Sequence, residues 1–80
     1  MRVLVKLYAT LRNLAPPNTA LGEAFAVEIR TGVLSQLIAQ LKIPRGQARI
    51  IFVNGMQVAD LKHRLKADDL VAIFPPVGGG

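Results

Sequence analysis

Cysteine is absent from the sequence, and with it go disulfides, thiolate metal sites and cysteine nucleophiles. The absence fits a reducing compartment, so a cytoplasmic location is expected. One histidine, His63, is too few for a histidine-based metal cluster, and no metal site is expected. Aromatics are scarce: one tyrosine and three phenylalanines are all that could stack on bases. Acids are scarce too, five against ten lysines and arginines, leaving a formal net charge of +5. A surplus of that size points to an acidic partner or to nucleic acid. The basic residues are scattered from Arg2 to Lys66, however, with one cluster, KHRLK, over Lys62–Lys66. A solvated basic surface is the first reading, and nucleic acid is not the expected partner. No apolar run approaches the roughly 20 residues of a membrane-spanning helix, so no membrane association is expected. MRVLVKLYATLR carries basic residues throughout and no small-residue cleavage site, so it does not read as a signal peptide. A GxxxxGK[ST] phosphate loop is missing, so any nucleotide chemistry belongs to another protein.

What remains is an apolar-rich chain of 80 residues, 51% hydrophobic, enough for one core without staples. VLVKLYA alternates as a strand does, with Val3, Val5 and Leu7 on one face and Arg2, Leu4, Lys6 and Tyr8 on the other. FAVEIR alternates again and sets Phe25, Val27 and Ile29 apart from Ala26, Glu28 and Arg30. LAPPNTALGE lies between the two as the long loop of a hairpin. Leu34, Leu37, Ile38 and Leu41 then recur at helical spacing, predicting about three turns of amphipathic helix. Thr31 or Gly32 is the expected N-cap, with Pro44 and Gly46 as the stop. ARIIFVNGMQV reads as a strand, a tight turn at Asn54-Gly55 and a short return reaching Val58. ADLKHRLKADD is an irregular connection anchored by Leu61 and Leu65, with Asp68-Asp69 as a turn rather than a metal site, and LVAIF is the last strand. One helix over one face of a mixed sheet of four to five strands is an α+β, two-layer architecture.

One helix covers one face, so the other should be polar. It is not. Opposite the helix-facing set stand Leu4, Tyr8, Ile50, Phe52, Leu70, Ala72 and Phe74. An apolar area of that extent marks a binding surface, and Phe74, last in its strand, is its focus. Immediately after it comes PPVGGG. Pro75-Pro76 cannot extend the ladder and favour an extended direction, which aims the following residues away from the body. Gly78, Gly79 and Gly80 carry no side chain and tolerate any φ, so this backbone suits a narrow channel in another protein. The Gly80 carboxylate then arrives unshielded, and becomes an electrophile once a partner activates it with ATP.

VNG followed by LKADDLVAIFPPVGGG resembles the C-terminal half of ubiquitin-like sulfur carriers, most nearly the small subunit of molybdopterin synthase, and VKLYATLR resembles that family's first strand and turn. The resemblance implies a β-grasp domain over residues 1–76 and a flexible glycine tail over 77–80. It implies an E1-like enzyme that adenylates the terminal glycine with ATP, a sulfurtransferase that converts the adenylate to a thiocarboxylate, and a large synthase subunit that accepts the tail. The carrier binds no cofactor and acts as a protein co-substrate, its only chemistry residing in its terminal carboxylate. Gly80 would carry the thiocarboxylate and Gly79 would keep it accessible. Leu4, Phe52, Phe74, Pro75, Pro76, Val77 and Gly78 would meet the partner. Asp68 and Leu70 depart from the family's usual LKDGDEV, and Gly78 stands where alanine or serine is usual.

Three alternatives stand beside this reading. The thiamine-pathway carrier uses the same activated terminus but resembles IFPPV less. A ubiquitin-like modifier would join Gly80 to a lysine. A basic β-grasp module would contact RNA through Arg45, Arg49, Lys62, Arg64 and Lys66, with steeply salt-dependent binding.

Overall fold

The computed structural model describes residues 1–44 and 46–76. Five strands form one sheet: β1 (Arg2–Leu7), β2 (Phe25–Glu28), β3 (Ile50–Val53), β4 (Met56–Gln57) and β5 (Leu70–Phe74), with helix α1 (Leu34–Gln40) between β2 and β3. Their order across the sheet is β2-β1-β5-β3-β4. The first and last strands pair in parallel at the centre, and every other pairing is antiparallel. This is the expected α+β arrangement, a β-grasp fold with a mixed five-stranded sheet. Its central pair places the end of the chain's last strand in the middle of the molecule.

The period-2 pattern survives intact. Val3, Val5, Leu7, Ile29, Ile51, Val53, Val71 and Ile73 are buried in one cluster with Leu34 and Leu37 of α1 and with Leu11, Ile43 and Leu65. Full burial of a Leu, Ile or Val contributes about 1.5–3 kcal/mol, so this set is the principal stabilising term. Phe25 and Val27 pack against it from the edge strand, partly exposed.

Several local expectations are corrected. Helix α1 has seven residues, nearer two turns than three. It ends ahead of Pro44 because Lys42 turns left-handed at φ 60. The Lys42 amide bonds to the Ala39 carbonyl and the Ile43 amide to that of Ile38, the two reversed hydrogen bonds of a Schellman ending. Neither Thr31 nor Gly32 is the N-cap. Val33 is, with no side-chain bond. The first helical amides are met instead by backbone, Leu34 bonding to the His63 carbonyl and Ser35 to that of Leu61. Such long-range capping leaves no local sequence signal. Gly32 serves close approach: a Cβ there would lie 2.8 Å from the Leu65 carbonyl oxygen. Leu65 is buried as expected, whereas Leu61 leaves 47% of its surface exposed and contributes its carbonyl rather than its side chain. The loop after β1 holds a 3-10 helix, Ala9–Leu14, that alternation and turn signals did not predict, and it buries Leu11. β2 ends at Glu28, short of the predicted Ile29-Arg30, and β4 ends at Gln57, short of Val58.

Two turns anticipated from the sequence are joined into one device. Asn54 and Gly55 both take positive φ, 52 and 84, as the tight hairpin between β3 and β4 requires. Asp68 also takes positive φ, 68, which aspartate tolerates, so the glycine usual there is not needed. Asp69 ties the two turns together. Its carboxylate accepts the Asn54 side-chain amide at 2.8 Å and the Lys66 backbone amide at 2.8 Å. The Asn54 side-chain oxygen Oδ1 accepts the Leu70 amide at 2.9 Å. Asp69, 9% exposed, is the buried polar residue among the described ones. Asp69→Ala strands two donors, and a loss of about 2–4 kcal/mol is expected in urea denaturation. A loss under about 0.5 kcal/mol would show that water replaces the carboxylate there.

Candidate functional site

The apolar outer face exists, and its aromatic residues are brought together at one end. Register explains how. Ile50 lies opposite Phe74 and Phe52 opposite Ala72 across β3 and β5, so alternate residues of both strands share that face. Tyr8, just past β1, stacks on Phe74 with ring centroids 4.2 Å apart and planes 9° apart. Phe52 meets Phe74 edge-on, at 5.9 Å and 82°. Such pairs contribute about 0.5–1.5 kcal/mol beyond area burial and hold the Phe74 ring in place without covering it. The Arg49 amide donates to the Phe74 carbonyl and so closes the ladder at the strand's last residue.

An open groove of ≈ 520 Å³ runs along this cluster, lined by Ala9, Ile50, Phe52, Gln57, Phe74, Pro75 and Pro76. Its lining is almost wholly apolar and contains no ionisable side chain. Catalysis needs a proton acceptor, a nucleophile or a metal, and this lining offers none. Among the described residues no group of three His, Asp or Glu could hold a metal. What the groove can do is bind an apolar protein surface.

The groove also lies at the root of the tail. Phe74 is the last paired residue, and Pro75 and Pro76 form part of the wall before the described chain stops. Of the residues expected to meet a partner, Phe52, Phe74, Pro75 and Pro76 are assembled here. Leu4 lies on the same face, beside Leu70 in the β1–β5 register, but outside the groove. Val77, Gly78, Gly79 and Gly80 lie outside the described residues. Ala9 and Gln57 join the site without having been singled out, whereas Tyr8 and Ile50 were already named on the outer face. Tyr8 was legible by alternation, and Gln57 by its place opposite Phe52 once the Asn54-Gly55 turn fixes the register. Ala9 has no sequence signal, because it enters at φ 53 as the chain turns into the 3-10 helix.

No charged side chain lines the groove itself. Arg2 clamps Asp68 through two guanidinium nitrogens, at 3.2 and 2.8 Å, at the far end of the face. The hydrogen bond and charge of Asp68 hold the Arg2 pKa above its ordinary value. The basic residues proposed for RNA are not gathered. Arg49 directly precedes β3 beside the groove, while Arg64 and Lys66 line a separate depression at the hairpin end of that strand. Lys62 follows on the connecting loop, and Arg45 lies outside the described residues. No helix among the described residues is long and apolar enough to cross a membrane.

Residues 5–80 match the ThiS family. No curated protein matches the sequence. Among solved structures, molybdopterin converting factor subunit 1 from Pyrococcus furiosus superposes with TM-score 0.67 at 30% identity, over 95% of this chain and 98% of that one. A protein-protein complex of subunits 1 and 2 of molybdopterin-converting factor from Helicobacter pylori gives 0.63 at 25% identity, over 100% of both chains. SAMP1 from Haloferax volcanii gives 0.67 over 100% of both at 22% identity, a likeness of fold.

Proposed function

The chain belongs to the ThiS family of ubiquitin-like sulfur carriers, and on that premise we propose that it carries sulfur on Gly80 for assembly of the molybdenum or tungsten cofactor. The observation that carries the reading is the union of two features at one end of β5. An aromatic-walled groove able to dock a protein is continuous, through Pro75 and Pro76, with the stretch leading to the glycines. Docking at the first places the second in a partner's active site.

The chemistry follows from the terminal group. An E1-like enzyme brings ATP. A Gly80 carboxylate oxygen attacks the α-phosphorus, pyrophosphate leaves, and the acyl carbon is now bonded to a good leaving group. The terminal sulfur of a sulfurtransferase persulfide attacks the acyl carbon and displaces AMP, giving an acyl disulfide. A second thiol breaks its S–S bond, forming a disulfide with the transferase sulfur and leaving a thiocarboxylate. The thiocarboxylate sulfur then bonds to the acceptor. Water cleaves the acyl carbon–sulfur bond and restores the carboxylate, and the carrier is ready for another cycle. It is a co-substrate at every step and binds no cofactor. The acceptor is a large subunit of the subunit 2 kind, as in the Helicobacter pylori complex. Similarity to the subunit 1 structures, the 30% identical one first, favours this acceptor over the thiamine pathway.

Adenylation is tested by ATP–pyrophosphate exchange with the E1-like enzyme of the same organism. The full chain should support exchange, and a chain lacking Gly80 should reduce it to the rate without carrier. Equal exchange by both chains would place the activated group elsewhere.

A further inference from the structure

Lys6 stands in the middle of the outer face. It lies opposite Ala72 in the β1–β5 register, and Ala72 lies opposite Phe52 in turn, so the three form one row across the sheet. At the usual strand spacing the Lys6 backbone is roughly 10 Å from that of Phe52 and about 7 Å from that of Tyr8. Along its own strand its neighbours on this face are Leu4 and Tyr8. The ammonium has no counter-charge among the described residues. Among the described residues the ion pairs are those of Met1 with Glu28 and Arg2 with Asp68, and neither reaches Lys6. The remaining aspartates and glutamates are engaged elsewhere: Glu23 accepts the Ala20 amide, Asp60 the Lys62 amide, and Asp69 joins the two turns.

We propose that Lys6 selects the partner of this face, and that the subunit 2 type acceptor sets an Asp or Glu against it within an otherwise apolar contact. The inference rests on the carrier reading for the identity of the acceptor. Its physical basis is desolvation. A partner that covers Phe74, Phe52 and Leu4 also takes Lys6 out of water, and a buried ammonium left unpaired is strongly destabilising. A carboxylate opposite it removes that cost and rejects surfaces that lack one. Such a pair separates specificity from the apolar contact that supplies affinity.

The two cases differ in sign. If the partner presents a carboxylate, Lys6→Met leaves that carboxylate unpaired and weakens binding by roughly tenfold or more, with Lys6→Glu weaker still. If it does not, Lys6→Met removes an unpaired cation and binding tightens. The experiment is calorimetry of the full chain against the subunit 2 counterpart of its own organism, at low and high salt, with Lys6→Arg as the charge-conserving variant. Expected are wild-type binding, losses for Lys6→Met and Lys6→Glu in that order, retention within a few-fold by Lys6→Arg, and a shallower salt dependence for Lys6→Met. Wild-type binding that Lys6→Met leaves unchanged or tightens overturns the Lys6 assignment while the carrier reading stands. Absence of wild-type binding overturns the acceptor named by both. Thermal unfolding of each variant separates loss of contact from loss of fold.

Discussion

Phe74→Asp is expected to weaken binding to both the activating enzyme and the acceptor by about 100-fold or more, roughly 3 kcal/mol. The residue is the centre of the docking groove, held between Tyr8 and Phe52 and incompletely covered by either. Aspartate there removes an aromatic anchor and, on docking, buries a charge with no partner in the groove lining. The fold should survive. Phe74 is only half-buried, and its backbone bonds do not depend on its side chain. Loss of two aromatic contacts costs about 1–3 kcal/mol. Phe74→Leu separates shape from polarity and should lose about tenfold at most. Surface plasmon resonance with unfolding curves on the same samples measures both effects. Affinity unchanged by Phe74→Asp would remove this face from the account.

Gly79→Val is the converse case. The groove is untouched, so docking affinity should stay within about threefold. Activation and transfer should fall by about 100-fold, since a branched side chain next to the reacting carboxylate displaces it, and displacement near 1 Å already costs that much. The two variants together divide the molecule into a part that binds and a part that reacts. A Gly79→Val chain that is loaded with sulfur at the normal rate would show that the partner's channel accepts side chains, and that the glycines serve another purpose.

Most of the fold was readable because burial on one face of a strand forces alternation. Val3, Val5 and Leu7, or Val71 and Ile73, announce a strand and its inner face together. The outer face was readable for the same reason, as an apolar set where polarity was due. Asn54-Gly55 was readable because two consecutive positive φ values leave few residue choices. The features that escaped depend on distant partners. Helix α1 is capped by carbonyls of His63 and Leu61, nearly thirty positions away, and so shows no capping residue of its own. Lys42 closes the helix in a conformation that glycine usually signals. Asp69 looked like half of a surface turn and is instead buried, joining Asn54 to the Lys66 amide. Lys6 passed for one of several scattered cations. It acquires meaning from the register that sets it beside Ala72, where no ion pair among the described residues reaches it.

The tail is read from its composition alone, as proposed chemistry. Pro75 and Pro76 stand in the groove wall, while the residues they were expected to direct lie outside the described residues. The glycines beyond them enter the account through the carboxylate they carry.

The most direct measurement is the intact mass of the full chain after incubation with its E1-like enzyme, ATP and a sulfur donor. The account predicts a gain equal to replacing one oxygen by sulfur, localised to Gly80 by fragmentation and lost when Gly80 is deleted. An unchanged mass, with the enzyme shown to load its own known carrier, would contradict it.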